Sequence, residues 1–227
     1  MKKTYFIFLV AATLSVCAFA QSQETRSLSS FTSLSVSEGI EVTISRGSDE
    51  KALVEASGIE LSDVITEITG DRLKIHLANN LRVNHVRVRV YLTYRQLDEL
   101  RASSAASLSS DEVLEAEDLR IDVSSAASIK LAIEVRKLDV NVSSAGDVEL
   151  SGHANSQRVE VSSAGDYDAS ELESAMADVD VSSSGKAGVF VTEILEADAS
   201  SAGKVIYRGN PSKMYGNSSS GGHIRKG

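Results

Sequence analysis

Residues 138–150 read LDVNVSSAGDVEL, and residues 157–169 read QRVEVSSAGDYDA. Both stretches place apolar residues at alternate positions, break at Ser-Ser-Ala-Gly, and then resume the alternation. Working outward, the break recurs as Ser103-Ser104-Ala105-Ala106, Ser124-Ser125-Ala126-Ala127, Ser143-Ser144-Ala145-Gly146, Ser162-Ser163-Ala164-Gly165, Ser182-Ser183-Ser184-Gly185, Ser200-Ser201-Ala202-Gly203 and Ser218-Ser219-Ser220-Gly221. Successive first serines lie 21, 19, 19, 20, 18 and 18 residues apart. A period near 19 held over six intervals marks a solenoid, in which each coil buries a face on the next.

The flanks identify the kind of solenoid. Before the breaks, Leu119, Ile121 and Val123, then Leu138, Val140 and Val142, then Ala177, Val179 and Val181 alternate with polar residues; after them come Ile129, Leu131 and Ile133, or Ala187, Val189 and Val191. Period two with Val and Ile means strands with one buried face. Each coil is expected to run strand, tight corner, strand, looser corner, with segments such as Gly152–Gln157 and Gly209–Ser212 at the looser corners. Ser170–Met176 is rich in helix formers but sits at such a corner, with room for a turn or two at most. At the tight corners, Gly in the later copies is expected to supply positive φ, and small side chains let corners stack at about 4.8 Å. Stacked serine hydroxyls could then satisfy turn backbone groups. Seven equivalent serines cannot all be one nucleophile, so the serine is read as structural.

Serine accounts for 37 of the 227 residues, against one Pro, one Cys and no Trp. The net charge of −9 would repel a phosphate backbone, so no nucleic-acid partner is expected. The first twenty residues differ from the rest. Lys2 and Lys3 precede an apolar run from Tyr5 to Val16 and a small-x-small site at Ala18-Phe19-Ala20, the pattern of a secretory signal peptide. The run is shorter than the roughly 20 residues a membrane span needs. A lipoprotein leader fits less well, because Val16 stands before Cys17 where a small residue is required. Cleavage would leave 207 residues from Gln21, with net charge −11 and no cysteine. Stability must then come from burial and hydrogen bonding rather than disulfides, and about 200 residues suffice for one core. The expected organisation is a signal peptide at 1–20, an N-terminal β portion at 21–100 and solenoid repeats at 101–227, the last two forming one continuous domain.

Through the N-terminal portion the alternation persists without serine corners. Ser37-Glu38-Gly39-Ile40-Glu41-Val42, then Leu53-Val54-Glu55-Ala56, then Val64–Ile75, then Val88-Arg89-Val90-Tyr91-Leu92, followed by the small-residue corners, resembles the bacterial family described as "putative auto-transporter adhesin, head GIN domain" (DUF2807). The resemblance covers roughly residues 30 to 210. Glu41 departs from it, standing where the eponymous Gly-Ile-Asn triplet has Asn. The family implies an all-β, right-handed, single-stranded β-helix of two-sheet coils, here with a more irregular N-terminal β portion. It resembles pectin-lyase-like proteins without their catalytic residues, and a role in cell-surface adhesion has been proposed for it.

No catalytic signature stands out. His76, His85, His153 and His223 are scattered singly; His76 reads as strand surface, and His85 and His153 read as turns. Gly185-Lys186-Ala187-Gly188 and Gly221-Gly222 are corners that open no helix, so no phosphate loop or cofactor is expected. The carboxylates do stack. Asp122, Asn141, Glu160, Asp180 and Asp198 share one outward position in successive coils, with Arg120, Asp139, Arg158, Asp178 and Glu196 two residues earlier. In register, Asp178, Asp180, Glu196 and Asp198 form an acidic patch that is either a solvated face or, in the sharper reading, a divalent-cation site. A second ladder runs Ser107, Ser128, Asp147, Asp166, Lys186, Lys204 and should pair Asp166 with Lys186.

The expectation is thus a non-catalytic, adhesin-like interaction protein, secreted or at the cell surface, outer membrane or periplasm. It would bind an unknown extracellular protein or glycan through repetitive faces. The alternative is a carbohydrate-binding or carbohydrate-modifying β-helix, which needs paired acids across a groove and aromatic platforms. Self-association is also expected to be open to it, because the last coil at His223-Ile224-Arg225-Lys226 leaves strand edges to be capped or paired.

Overall fold

The computed structural model describes residues 22–78 and 86–227, so the expected signal peptide and His85 lie outside the described residues. Along the chain come β1 (Ser22–Ser27), β2 (Ser33–Val36), β3 (Glu41–Arg46), β4 (Lys51–Ser57), one 3-10 turn at Leu61–Asp63, β5 (Val64–Thr69), β6 (Arg72–Leu77), β7 (Arg87–Tyr94) and β8 (Glu99–Ala102). The long strands β9 (Ser107–Val123), β10 (Ser128–Val142), β11 (Asp147–Val161), β12 (Asp166–Val181) and β13 (Lys186–Ala199) follow, then β14 (Lys204–Arg208), β15 (Lys213–Ser218) and β16 (His223–Lys226). The chain is an all-β solenoid of about seven turns.

From β9 to β13 the looser corners are bends within strands rather than breaks between them, whereas the last, Gly209–Ser212, separates β14 from β15. Strand β10 keeps its ladders with β9 and β11 through Val135 and again from Lys137, and at the bend Arg136 and Lys137 both point outward. Register shifts near these bends, as between Glu149 and Ser151 or Ala169 and Glu173, take up the unequal repeat lengths as bulges. Ser170–Met176 is accordingly extended chain inside β12 and forms no helical turn. His153 likewise lies in β11 and not in a turn.

The tight corners correct the expectation about glycine. In Ser143-Ser144-Ala145-Gly146 the positive φ values are 50° at Ser144 and 58° at Ala145, and Gly146 N–H donates to Ser143 O at 2.9 Å. Two successive positive φ values closed by this bond define a type I′ turn. Serine and alanine, not the fourth-position glycine, hold the left-handed conformation. That glycine answers a different constraint, close approach: a Cβ at Gly165 would lie 3.0 Å from Val142 O and 3.1 Å from Ser162 O.

Backbone, not hydroxyl, stitches the corners together. Ala105 N–H donates to Ser125 O at 2.9 Å, Ala126 to Ser144 at 3.1 Å, Ala145 to Ser163 at 3.0 Å and Ala164 to Ser183 at 3.0 Å. The corner hydroxyls enter no hydrogen bond among the described residues, contrary to the expected serine ladder. Small size is what the position selects. The last reversal is Ser219-Ser220-Gly221-Gly222, one residue later than the repeat suggested, so the final interval is 19. A further corner, Ser37-Glu38-Gly39-Ile40, carries φ values of 64° and 70° and joins the column through Gly39 N–H to Ser104 O at 2.9 Å.

The N-terminal coils are interleaved in space. Strand β2 lies between β6 and β8, and β3 lies between β7 and β9, so the coil formed first in sequence is covered by one formed later. Beyond it the solenoid is closed by antiparallel strands, β4 on β7, β1 on β4 and β5 on β6. Arg26 crosses this end and donates to Val64 O at 2.6 Å and Leu61 O at 2.8 Å.

One continuous core fills the space between the two faces. Its rows run along the axis, as in Ile121, Val140, Val159, Val179 and Ala197, all buried. Each buried Val or Leu contributes about 1.5–3 kcal/mol over its exposed state. The exception is polar: Tyr167 Oη donates to Gln157 Oε1 at 2.8 Å, Gln157 Nε2 to Ser174 Oγ at 2.8 Å, and Ser174 Oγ to Phe190 O at 2.9 Å. Every buried side-chain polar atom in the described residues finds a partner, as a low-dielectric interior requires.

Candidate functional site: an axial groove

Because β9 to β13 stack in register, residues just beyond each bend form two parallel rows along the solenoid axis. One row is Asp118, Lys137, Ser156, Met176 and Ile194; the other is Arg120, Asp139, Arg158, Asp178 and Glu196. Between them lies a groove of about 710 Å³, floored by the edges of Leu119, Leu138, Gln157 and Ala177. That is the size range of a ligand-binding cleft. Its lining is mainly apolar, from the exposed Met176, the half-buried Ile194 and the stems of Lys137, Arg120 and Arg158.

Charge is unevenly distributed along it. At the N-terminal half Arg120 pairs with Asp122 at 3.2 Å, and Arg136 at the bend holds Glu117 and Asp118. In the middle Arg158 holds Asp178 at 2.9 Å. Beyond that point Glu196, with Asp180 and Asp198 on the next outward row, has no ion-pair partner among the described residues. The other row changes in parallel, from Lys137 through Ser156 to Met176 and Ile194 and then Lys213 of β15, while Tyr215, 59% exposed, follows Glu196 on the acidic row.

The structure therefore brings Asp178, Asp180, Glu196 and Asp198 together as the ladders predicted, Asp178 opposite Glu196 and Asp180 opposite Asp198. They stand in two parallel rows, Asp178 and Glu196 lining the groove and Asp180 and Asp198 beside it. Among the described residues no three His, Cys, Asp or Glu side chains converge where a metal ion could sit. The second ladder also forms, with Lys186 Nζ 3.3 Å from Asp166 Oδ2. Beside it Asp147 has its pKa raised, first by burial and then by the facing Asp166 and by Glu149 and Asp168. His76 is half-buried, 3.8 Å from Glu67, and His153 reaches Asn155 at 3.2 Å, so neither joins a catalytic group.

One charged cluster went unread in the sequence. Glu99, on β8, accepts from Ser33 at 2.6 Å, Arg101 at 2.6 Å and Arg72 at 2.8 Å. Burial pushes its pKa up, but the hydrogen bonds from Arg101, Ser33 and Arg72 outweigh it and hold the group down at about 2. These residues come from β2, β6 and β8, which sequence order does not place together. The cluster ties the interleaved coils to each other. The groove itself was half legible: its acidic wall follows from the ladders, but its apolar wall depends on bends of unequal length.

Comparisons with known proteins agree with this architecture. No curated protein matches the chain. Solved structures do, including a "putative adhesin" from Bacteroides fragilis at 13% identity and TM-score 0.85, covering 92% of this chain and 98% of that one. A "putative adhesin" from Parabacteroides merdae aligns at 18% identity and TM-score 0.75, over 91% of this chain and 96% of that one. A "putative lipid binding protein" from Parabacteroides distasonis aligns at 19% identity and TM-score 0.62, over 90% and 96%. At such identities these likenesses establish the fold. The family model matches residues 30–211, and the chain belongs to the family described as "putative auto-transporter adhesin, head GIN domain".

Proposed function

We propose that the protein is an exported, non-catalytic, adhesin-like molecule that holds an extracellular partner, protein or glycan, along its axial groove. The observation that carries this reading is the groove itself, a continuous feature crossing successive coils and suited to an extended partner. Membership of the family supports adhesion, and the secretory pattern of residues 1–20 supports export. A hydrolase would need two acids facing each other across the cleft. Over the C-terminal half of the groove Asp178 and Glu196 instead share one wall, with Met176 and Ile194 on the other. Protease added to intact cells of the source bacterium tests the placement: the protein should be degraded while cytoplasmic markers survive. A protected, soluble periplasmic pool would contradict surface adhesion.

A further inference from the structure

We infer that the C-terminal half of the groove, from Ser156 to Tyr215, seats an extended polypeptide segment in which basic and apolar residues alternate. The inference rests on the binding role proposed above and specifies the chemistry of the partner.

Two features coincide over these four coils. Met176 and Ile194 lie in register on adjacent coils and Met176 is 45% exposed; one coil further on, Lys213 follows Ile194 and ends the aliphatic strip, while the exposed Tyr215 follows Glu196 on the acidic row. Alongside run Asp178 and Glu196, with Asp180 and Asp198 on the next row, spaced about 4.8 Å along the axis and about 6.7 Å between rows. Only Asp178 is neutralised within the protein, by Arg158. Three carboxylates and an aliphatic strip thus face solvent together. Methionine adapts its shape to whatever packs on it, which suits a surface that must accept side chains of varying form.

The charge decides among occupants. An acidic polysaccharide, like a nucleic acid, would bring negative charge to unneutralised carboxylates. A neutral glycan would seek a flat aromatic platform facing the acids, whereas the side chains beside Asp178 and Glu196 on the facing wall are the aliphatic Met176 and Ile194, and Tyr215 lies beyond Glu196 on the acidic row itself. A peptide in extended form sets alternate side chains on opposite sides of its backbone, so a basic-apolar alternation would present cations to the acidic wall and aliphatic groups to the strip. The four coils span about 14 Å, the reach of roughly four extended residues.

Fluorescence anisotropy with the purified chain from residue 21 and a labelled octapeptide of alternating Lys and Leu tests this directly. Binding should be seen, should weaken from about 0.02 M to about 0.15 M salt, and should fall about tenfold in Glu196→Gln with Asp198→Asn. Met176→Ser, also at an exposed position, should weaken it several-fold, and Glu173→Gln, outside the groove, should leave it unchanged. Equal loss in Glu173→Gln, no loss in the paired variant, or preference for a labelled Glu-Leu octapeptide or a neutral hexasaccharide would each overturn the inference. Failure here leaves the cell-protease result untouched, so the partner's chemistry and the placement of the protein are decided separately.

Discussion

At single positions, the decisive fact is that serine and alanine occupy a backbone conformation usually left to glycine and asparagine. Ser144 at φ 50° and Ala145 at φ 58° repeat with small variation in the other corners. Left-handed φ costs a residue with a Cβ about 1–2 kcal/mol, and the coil-to-coil bond from Ala145 N–H to Ser163 O offsets part of it. Ala145→Gly should therefore raise stability, by about 0.5–1 kcal/mol after the entropy that glycine adds to the unfolded chain. Gly203→Ala should do the reverse, since the new Cβ would overlap Val181 O, and it should cost more than Gly165→Ala, whose nearest contacts are 3.0 Å. Denaturant melts of the three variants check both signs. The corner is where sequence reading went astray: Gly in the fourth place was visible, but its role depends on a carbonyl from the coil below, which no local pattern reveals.

At the level of strands, period-two alternation was enough to read the repeats, because each strand of the solenoid proper has one buried face. It was not enough for the N-terminal coils. Strands β2 and β3 enter the stack between strands that follow them by dozens of residues, and the corner between them, Ser37-Glu38-Gly39-Ile40, lacks the small-residue signature. The bonds that hold this interleaving converge on Glu99. Its folded pKa of about 2 lies below the ordinary 4.5, so its contribution is complete above pH 4.5 and is lost as pH falls toward 2. Glu99→Gln should cost about 2 kcal/mol at pH 7 and much less near pH 2, flattening the acid limb of the stability profile. Urea melts across that range read it out, and an unchanged acid limb would remove Glu99 from the role.

Over the whole molecule, the groove proposed to hold a partner follows from register. The acidic wall, the aliphatic strip and the groove between them exist only because each coil sits on its neighbour with corresponding residues aligned, and a slip of one residue would turn Asp178 or Glu196 toward the core. The most direct test of that claim is the formation of disulfides between engineered corner cysteines, since the chain beyond residue 20 contains none of its own. Ser144→Cys with Ser163→Cys places the pair on adjacent corners, within the Cα separation of about 4.4–6.8 Å that a disulfide requires, whereas Ser144→Cys with Ser183→Cys places it two coils, about 10 Å, apart. Mild oxidation should close the first pair within one molecule and leave the second as free thiols; closure of the second, or of neither, would contradict the stacked solenoid.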